Sequence, residues 1–328
     1  MKYQEVLSHL AKPGERLRPH YLYALSRMTP AQLELFRRQW PTVDRARRRA
    51  VIQGLAELTE NSFEVNFDPV FLLAMGDEDD EVRAAAIEGL WENESPSLIR
   101  PLIQLLRADT SEIVRAAAAV ALGRFVLLSE LEKLDRATGD RVEEALREAI
   151  RRPSETVDVR QRAIESIAYS GKDDVRQIIK AAYHSPDEKL QASALFGMGR
   201  SADSHWRRIV TFELDNPNPE LRYEAARACG ELELSQAIPR LGEMVFDDPD
   251  REVQEVAVWA LGCIGGREAR AVLEACYEGD DEFLKQAATE ALDQMDMLDE
   301  DLAISLYEDG TDDELDDEEE LDLDEEEF

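Results

Sequence analysis

A twelve-residue pattern, first seen in residues 79–90 (DDEVRAAAIEGL), returns in altered wording as far as residue 292. With Val82 as its anchor, the equivalent positions are Val114, Val159, Leu190, Leu221, Val253 and Leu284. The intervals between them are 32, 45, 31, 31, 32 and 31 residues. Self-similarity at this period means that one supersecondary unit is repeated and that neighbours stack to share a core. Such an array grows without a single centre. The length of 328 residues, enough for two ordinary domains, therefore sets no domain count.

Each position in the pattern has a physical role. Three residues before the anchor stand Asp79, Ser111, Thr156, Asp187, Asn218, Asp250 and Asp281, all side chains that cap a helix N-terminus. Four after it comes alanine in every repeat, from Ala86 to Ala288. Seven after it the residues are small (Gly89, Ala121, Ser166, Gly197, Ala228, Ala260, Ala291), and eight after it they are apolar. Offsets of zero, four, seven and eight share one face of a helix. Small residues in the middle of that face let a neighbouring helix approach closely. Between these capped helices run others with apolar stripes of their own, such as residues 98–106 and 237–246. The unit is helix, turn, capped helix.

These residues resemble HEAT repeats of the short type known from phycobilisome-lyase-like proteins, over roughly residues 29–296. The resemblance rests on the prolines of the first helices (Pro101, Pro239) and on the turn Asp five before the anchor (Asp77, Asp109, Asp248, with Asn216). It also rests on the Arg one after it (Arg83, Arg115, Arg160, Arg222). It implies an all-α fold, an α-α superhelix or solenoid of about eight helix pairs, in which that Asp and Arg form a ladder between adjacent repeats. Departures at Gln191, Gln254 and Lys285, and at Ser154, Ser185 and Gly279, are expected to interrupt the ladder. Residues 1–28 do not match the repeat. They read as one or two short helices around Pro13-Gly14 that cap the first pair, with apolar positions such as Val6, Leu10 and Leu22. That first pair, about 30–58, places Asp44 at the cap and Arg47 where an apolar anchor belongs.

Charge narrows the function classes. The net charge of −34 disfavours non-specific attraction to nucleic acid or anionic membrane. From Asp296 to Phe328 there are 19 acidic residues and no basic one, so 297–328 reads as a disordered acidic tail with a short apolar island at 302–307. Three cysteines without C-x-x-C spacing read as reduced thiols of a cytoplasmic protein. No stretch is long and apolar enough to span a membrane, and the N-terminus lacks a secretory signal.

Motifs that carry chemistry are missing: there is no Gly-rich phosphate loop, H-E-x-x-H, G-x-S-x-G or zinc-type Cys/His pattern. His9, His20, His184 and His205 are scattered, and none is followed by Glu. The His-Glu motifs of the HEAT-repeat hydroxylase, deoxyhypusine hydroxylase, are thus absent. No catalytic residue, metal or cofactor is expected.

Two groups are candidate binding residues. Offsets of two, six and nine or ten point away from the packing face, and in HEAT proteins this face of the second helices lines the concave surface. There the later repeats hold Tyr169, Phe196, Arg200, Tyr223, Arg227 and Trp259. Aromatics interleaved with arginine make interaction hot spots. A protein or peptide partner with acidic and apolar residues, the chain's own tail among them, is expected to dock there. The other reading is that Phe196 and Trp259 pack against adjacent repeats. Residues 1–50 hold 11 Lys and Arg against 4 Asp and Glu, with Arg45, Arg47, Arg48 and Arg49 at one helix start. That cluster reads as an anion or nucleic-acid patch, as a solvated face, or as a docking point for the tail, and nucleic acid is not the favoured partner. The chain is therefore expected to be a non-catalytic interaction scaffold. The alternatives are a bilin lyase-like or chromophore-protein accessory factor and a nucleic-acid binder. The longer interval at 124–139 is expected to extend a helix or add one, and an insertion of this kind can be a contact site.

Overall fold

The computed structural model describes the backbone of residues 3–12, 14–62 and 64–311, and side chains as far as residue 297. The described residues are helical, with no strand among them. Contacts divide the chain between Ser201 and Ala202 into two compact units.

The first unit opens with two short helices, α1 (Tyr3–Leu10) and α2 (Pro19–Tyr23). Five helix pairs follow: α3 (Pro30–Gln39) with α4 (Arg45–Glu60), α5 (Asp68–Ala74) with α6 (Asp80–Glu88), and α7 (Ile99–Ala108) with α8 (Glu112–Glu130). Then come α9 (Arg136–Arg151) with α10 (Val157–Ile167) and α11 (Asp173–Tyr183) with α12 (Glu188–Arg200). The second unit holds three pairs. They are α13 (Arg207–Glu213) with α14 (Pro219–Glu231), α15 (Ile238–Asp247) with α16 (Arg251–Ile264), and α17 (Gly266–Glu278) with α18 (Glu282–Thr311). Helix α18 passes through position 296, where the sequence suggested the repeats end, and covers the apolar island. Most of the acidic tail, residues 312–328, lies outside the described residues.

The repeated face is the core. Val82, Val114, Val159 and Val253 are at most 1% exposed, and every alanine at offset four is fully buried. Second helices lie side by side, α6 against α8, α8 against α10 and α10 against α12 in the first unit, α14 against α16 and α16 against α18 in the second. Gly89 shows why offset seven must be small: a methyl added there would run into the Phe71 ring of the preceding helix.

Six of the seven expected caps form. Asp79 accepts from the Val82 N–H at 3.2 Å, Thr156, Asp250 and Asp281 accept from the equivalent N–H, and Asp187 and Asn218 accept from the residue before it, Lys189 and Glu220. Ser111 departs from the expectation. Its hydroxyl instead donates to Asp80 of the preceding repeat at 2.8 Å.

The ladder is present and differs from the expected one in detail. Arg83 makes two bonds to Asp109, at 2.9 and 2.8 Å, and Arg222 makes two to Asp248, both at 2.8 Å. Each arginine also holds two carbonyls of its own turn: Asp77 and Glu78 for Arg83, Asn216 and Pro217 for Arg222. At Ser154 the expected interruption does not occur, because the next residue, Glu155, accepts from Arg115 at 3.0 and 2.8 Å. At Ser185 the rung is missing. Arg160 keeps only the carbonyls of Arg152 and Pro153. Gln191 and Gln254 retain the carbonyl half of the motif, on Ser185 at 2.7 Å and Asp248 at 2.9 Å. Beside Gln254, Arg251 reaches Asp281 at 2.6 Å.

The longer interval is taken up by helix. α8 runs 19 residues to Glu130, and α9 starts at Arg136, so residues 137–140 form its first turn. Lys172, before α11, ties α9 down through Asp140 and the buried Glu143, at 2.7 and 2.8 Å.

Candidate functional site

The side chains expected to point away from the core lie on one face of the second helices, and the structure refines which offsets reach it. Offset nine packs against the next repeat where the residue is small, Ala168 on Gly197 and Gly230 on Ala260, whereas Trp91 at the same offset is 49% exposed. Offset ten is half-buried or exposed in every repeat, and carries Arg124, Tyr169 and Arg200. In the early repeats Arg124 turns back and donates to the carbonyls of Leu90 and Trp91, closing the end of α6.

In the first unit the structure brings Tyr169, Phe196 and Arg200 together. The Arg200 guanidinium lies 5.2 Å from the Phe196 ring centre and 5.8 Å from that of Tyr169, within cation–π reach of both. All three are half-buried. Glu165 stands in the same column at offset six, where it accepts from Ser193 at 2.9 Å and pairs with Arg162 at 2.8 Å.

The second unit brings Tyr223, Arg227 and Trp259 together in a cleft of ≈ 350 Å³ between α14 and α16. Equal offsets explain the pairing: Tyr223 and Glu255 are both at offset two, Arg227 and Trp259 both at offset six. Parallel packing of the two helices sets these columns edge to edge. Gly230 lets the Trp259 indole lie against α14, since a methyl there would sit 3.0 Å from the ring. Trp259 nevertheless remains 38% exposed. The reading that Phe196 and Trp259 pack against neighbours thus describes part of their surface and leaves the rest open.

Sequence reasoning missed Glu252 and Glu255, which line this cleft with Val256. Both are exposed, and neither carboxylate has a bonding partner among the described residues. Arg227, by contrast, lies between Glu231 at 3.3 Å and Glu224 at 3.9 Å. Burial, then the nearby glutamates, push the Tyr223 hydroxyl above its ordinary pKa, so it stays protonated as a donor. The glutamates fall at offsets minus one and two. Reading the face for aromatics and arginines alone had passed them over.

The N-terminal arginines are engaged within the chain. Arg47, 7% exposed, donates to the carbonyls of His9 and Glu15. Arg48, 4% exposed, meets Glu78 at 2.5 Å and Asp77 at 3.5 Å. If Arg47 is the anchor, Arg48 and Asp77 are the ladder positions, so this pair is the first rung. Arg49 makes two bonds to Asp79 at 2.9 and 2.7 Å, and Arg45 approaches the same carboxylate at 3.2 Å. The clustering seen in sequence arises because one helix start docks on the acidic turn 77–81.

Thiol chemistry is poorly supported. Burial pushes Cys229 up to about 12 and Cys263 and Cys276 up to about 11, which keeps all three protonated at neutral pH. Among the described residues no cluster of His, Cys, Asp and Glu is placed to hold a metal ion. No described helix is long and apolar enough to cross a membrane.

Comparison with solved structures finds the same architecture elsewhere. The complex of CpcE and CpcF of phycocyanin lyase from Nostoc sp. PCC7120 aligns over 88% of this chain and 97% of that one, at 16% identity and a TM-score of 0.52. Human deoxyhypusine hydroxylase aligns over 90% of this chain and 96% of that one, at 15% identity and a TM-score of 0.35. Kap95p, solved with RanGDP, aligns over 89% of this chain and 40% of its own, at 14% identity and a TM-score of 0.42. At these identities the first likeness is one of fold, and the other two carry no argument. A search of curated proteins returns no match. A profile of HEAT repeats matches residues 68–152 and 210–293, more than half of the chain. Paired helices, a buried small-residue face and an Arg–Asp ladder agree with that match, and the chain belongs to the HEAT-repeat family.

Proposed function

We propose that this protein is a non-catalytic interaction scaffold whose α14/α16 cleft receives a peptide segment of a protein partner. The observation that carries the reading is the cleft's composition: Tyr223 and Trp259 offer aromatic surface beside two carboxylates, Glu252 and Glu255, that no side chain among the described residues pairs with. Aromatic faces next to carboxylates favour a cation. The fitting partner presents a lysine or arginine next to an apolar residue. This revises the acidic partner inferred from the arginines alone, because Arg227 is flanked by Glu224 and Glu231. The acidic tail does not match this cleft in charge.

The test is titration of the full protein with lysine- and arginine-rich peptides of varied apolar content, followed by fluorescence anisotropy. Basic peptides bind, acidic ones of equal length do not, and Glu252→Gln with Glu255→Gln weakens binding about tenfold or more. Tyr223→Ala with Trp259→Ala should abolish it while the helical signal persists. Equal binding by that variant, or preference for acidic peptides, would refute the assignment.

A further inference from the structure

The first unit carries a second concavity, on its first-helix face, whose charge is opposite to that of the cleft. A groove of ≈ 520 Å³ runs between α7 and α9. Its α7 wall carries Ile99 and Ile103, one helical turn apart, with Arg100 and Arg107 alongside; its α9 wall carries Arg141 and Glu144. The α9 wall begins at Thr138, in the stretch that the long interval adds.

The chemistry of this groove turns on the arginines that flank its apolar lining. Several arginines of the first unit are taken up by carboxylates, as at Arg48, Arg49, Arg83, Arg115 and Arg147. The sequence supplies 72 acidic residues against 38 basic ones, so a carboxylate is seldom far away. Arg100 nonetheless has no ion-pair or hydrogen-bond partner among the described residues. Arg141 bonds only to the Ala137 carbonyl and the Thr138 hydroxyl, at 3.3 and 2.6 Å. Arg107 is paired with Glu148 at 2.7 and 2.9 Å. Two guanidinium groups with no carboxylate in bonding distance therefore flank an apolar floor made by half-buried Ile103 over the nearly buried Ile99, with Glu144 as the single carboxylate on the lining.

We infer that the α7/α9 groove is a docking site for an acidic, leucine-bearing segment of another polypeptide. Its apolar side chains seat chiefly on Ile103, at the edge of the nearly buried Ile99, and its carboxylates pair with Arg100 and Arg141. Guanidinium forks favour carboxylates, and an apolar floor excludes water from the pairs that form. The site is independent of the α14/α16 cleft and of the partner assigned to it.

The experiment uses the full chain and, as probe, a labelled helical peptide of about four turns built from Glu, Asp and Leu, the leucines at i, i+4 spacing. Binding is expected, weakening as salt is raised. Arg100→Glu with Arg141→Glu, and separately Ile103→Asp, should each reduce affinity about tenfold or more. The Tyr223→Ala, Trp259→Ala variant binds this probe normally, which separates the two sites. Circular dichroism confirms that each variant is folded. Arg100→Gln with Arg141→Gln serves as the milder change should charge reversal disturb folding. Retained affinity in the glutamine variant overturns the proposal. So does an equally tight interaction with a DNA oligonucleotide through the same arginines, which would make the groove a general anion site. Binding that appears only after removal of residues 312–328 would assign the groove to the chain's own end and overturn the assignment to a separate partner.

Discussion

Arg83 and Asp109, 26 residues apart, face one another as a two-pronged guanidinium–carboxylate pair, with side chains 13% and 8% exposed. The Asp109 carboxylate also accepts the Ser111 N–H at 2.9 Å, holding the turn before α8. One pair thus fixes two things: the turn inside a repeat and the spacing between α6 and α8. Breaking a largely buried pair from one side leaves a charge without its partner, at about 3 kcal/mol or more. We expect Arg83→Met and Asp109→Ala each to cost about that much, and the double variant to cost less than their sum. Arg160, which meets only carbonyls, sets the comparison: Arg160→Met should cost about 1 kcal/mol, the scale of ordinary hydrogen bonds. Thermal melts of the four variants check this ordering.

Acid should weaken the neighbouring α4/α6 interface, at the first turn of α6. The Arg49 guanidinium, and after it the Val82 N–H, hold the Asp79 carboxyl below its ordinary pKa against the opposing effect of burial. A carboxyl lowered on folding contributes stability above its unfolded pKa and loses it as pH falls through the folded value. The difference in melting temperature between wild type and Asp79→Asn should be large at pH 7 and shrink below about pH 4, where the ordinary carboxyl titrates. Asparagine keeps the capping role, so the change isolates charge. A difference that stays constant with pH would contradict this.

The fold was legible because packing imposes a rule on every repeat. A face that must accept a neighbouring helix tolerates only small residues at its centre, and Ala86 and its counterparts record that rule in sequence. The ladder was legible where Arg and Asp keep register. It was misread at Ser154, because a glutamate one residue later reaches the same guanidinium, and side-chain length does not show in a position-by-position alignment. Arg45, Arg47, Arg48 and Arg49 looked like a patch because sequence shows charge without its partners. Those partners, Glu15, Asp77, Glu78 and Asp79, lie 29 or more residues away. The cleft was half legible. Tyr223, Arg227 and Trp259 follow from offsets, whereas Glu252 and Glu255 gain meaning only once α14 and α16 are side by side.

Arg47 gives a third expectation, at the start of the chain. It occupies an anchor that is apolar elsewhere, and it ties the N-terminal segment to α4 through the carbonyls of His9 and Glu15. Burial lowers its pKa, with Glu15 opposing that effect. Methionine fills much of the same volume without the hydrogen bonds, and apolar replacements of buried charges are often well tolerated. Arg47→Met should therefore leave the global melt within a few degrees while loosening α1 and α2. Faster amide exchange over residues 3–23, with α6 and α8 unchanged, is the expected result. Equal protection of α1 in both proteins would count against the tether.

Two glycines in neighbouring helices of the second unit should respond to the same substitution with opposite signs. In α15, a methyl on Gly242 would lie 3.4 Å from Val272, an ordinary contact. Alanine is favoured over glycine in a helix interior by about 1 kcal/mol, so Gly242→Ala should leave stability unchanged or raise it slightly. In α14, a methyl on Gly230 would stand 2.8 Å from the Ala260 α-carbon and 3.0 Å from the Trp259 ring. The first obstacle is backbone and cannot swing aside, so α14 and α16 must separate. Gly230→Ala should cost about 1–3 kcal/mol, as overpacking does, despite its gain in helix propensity. Because the indole rests where the methyl would go, the same change should shift Trp259 emission to longer wavelength and weaken basic-peptide binding in the cleft. Emission is best read in a variant retaining Trp259 as its sole tryptophan, with conservative replacements at Trp40, Trp91 and Trp206. Unaltered emission together with unaltered stability would show that α14 and α16 are not packed as closely as the structure places them.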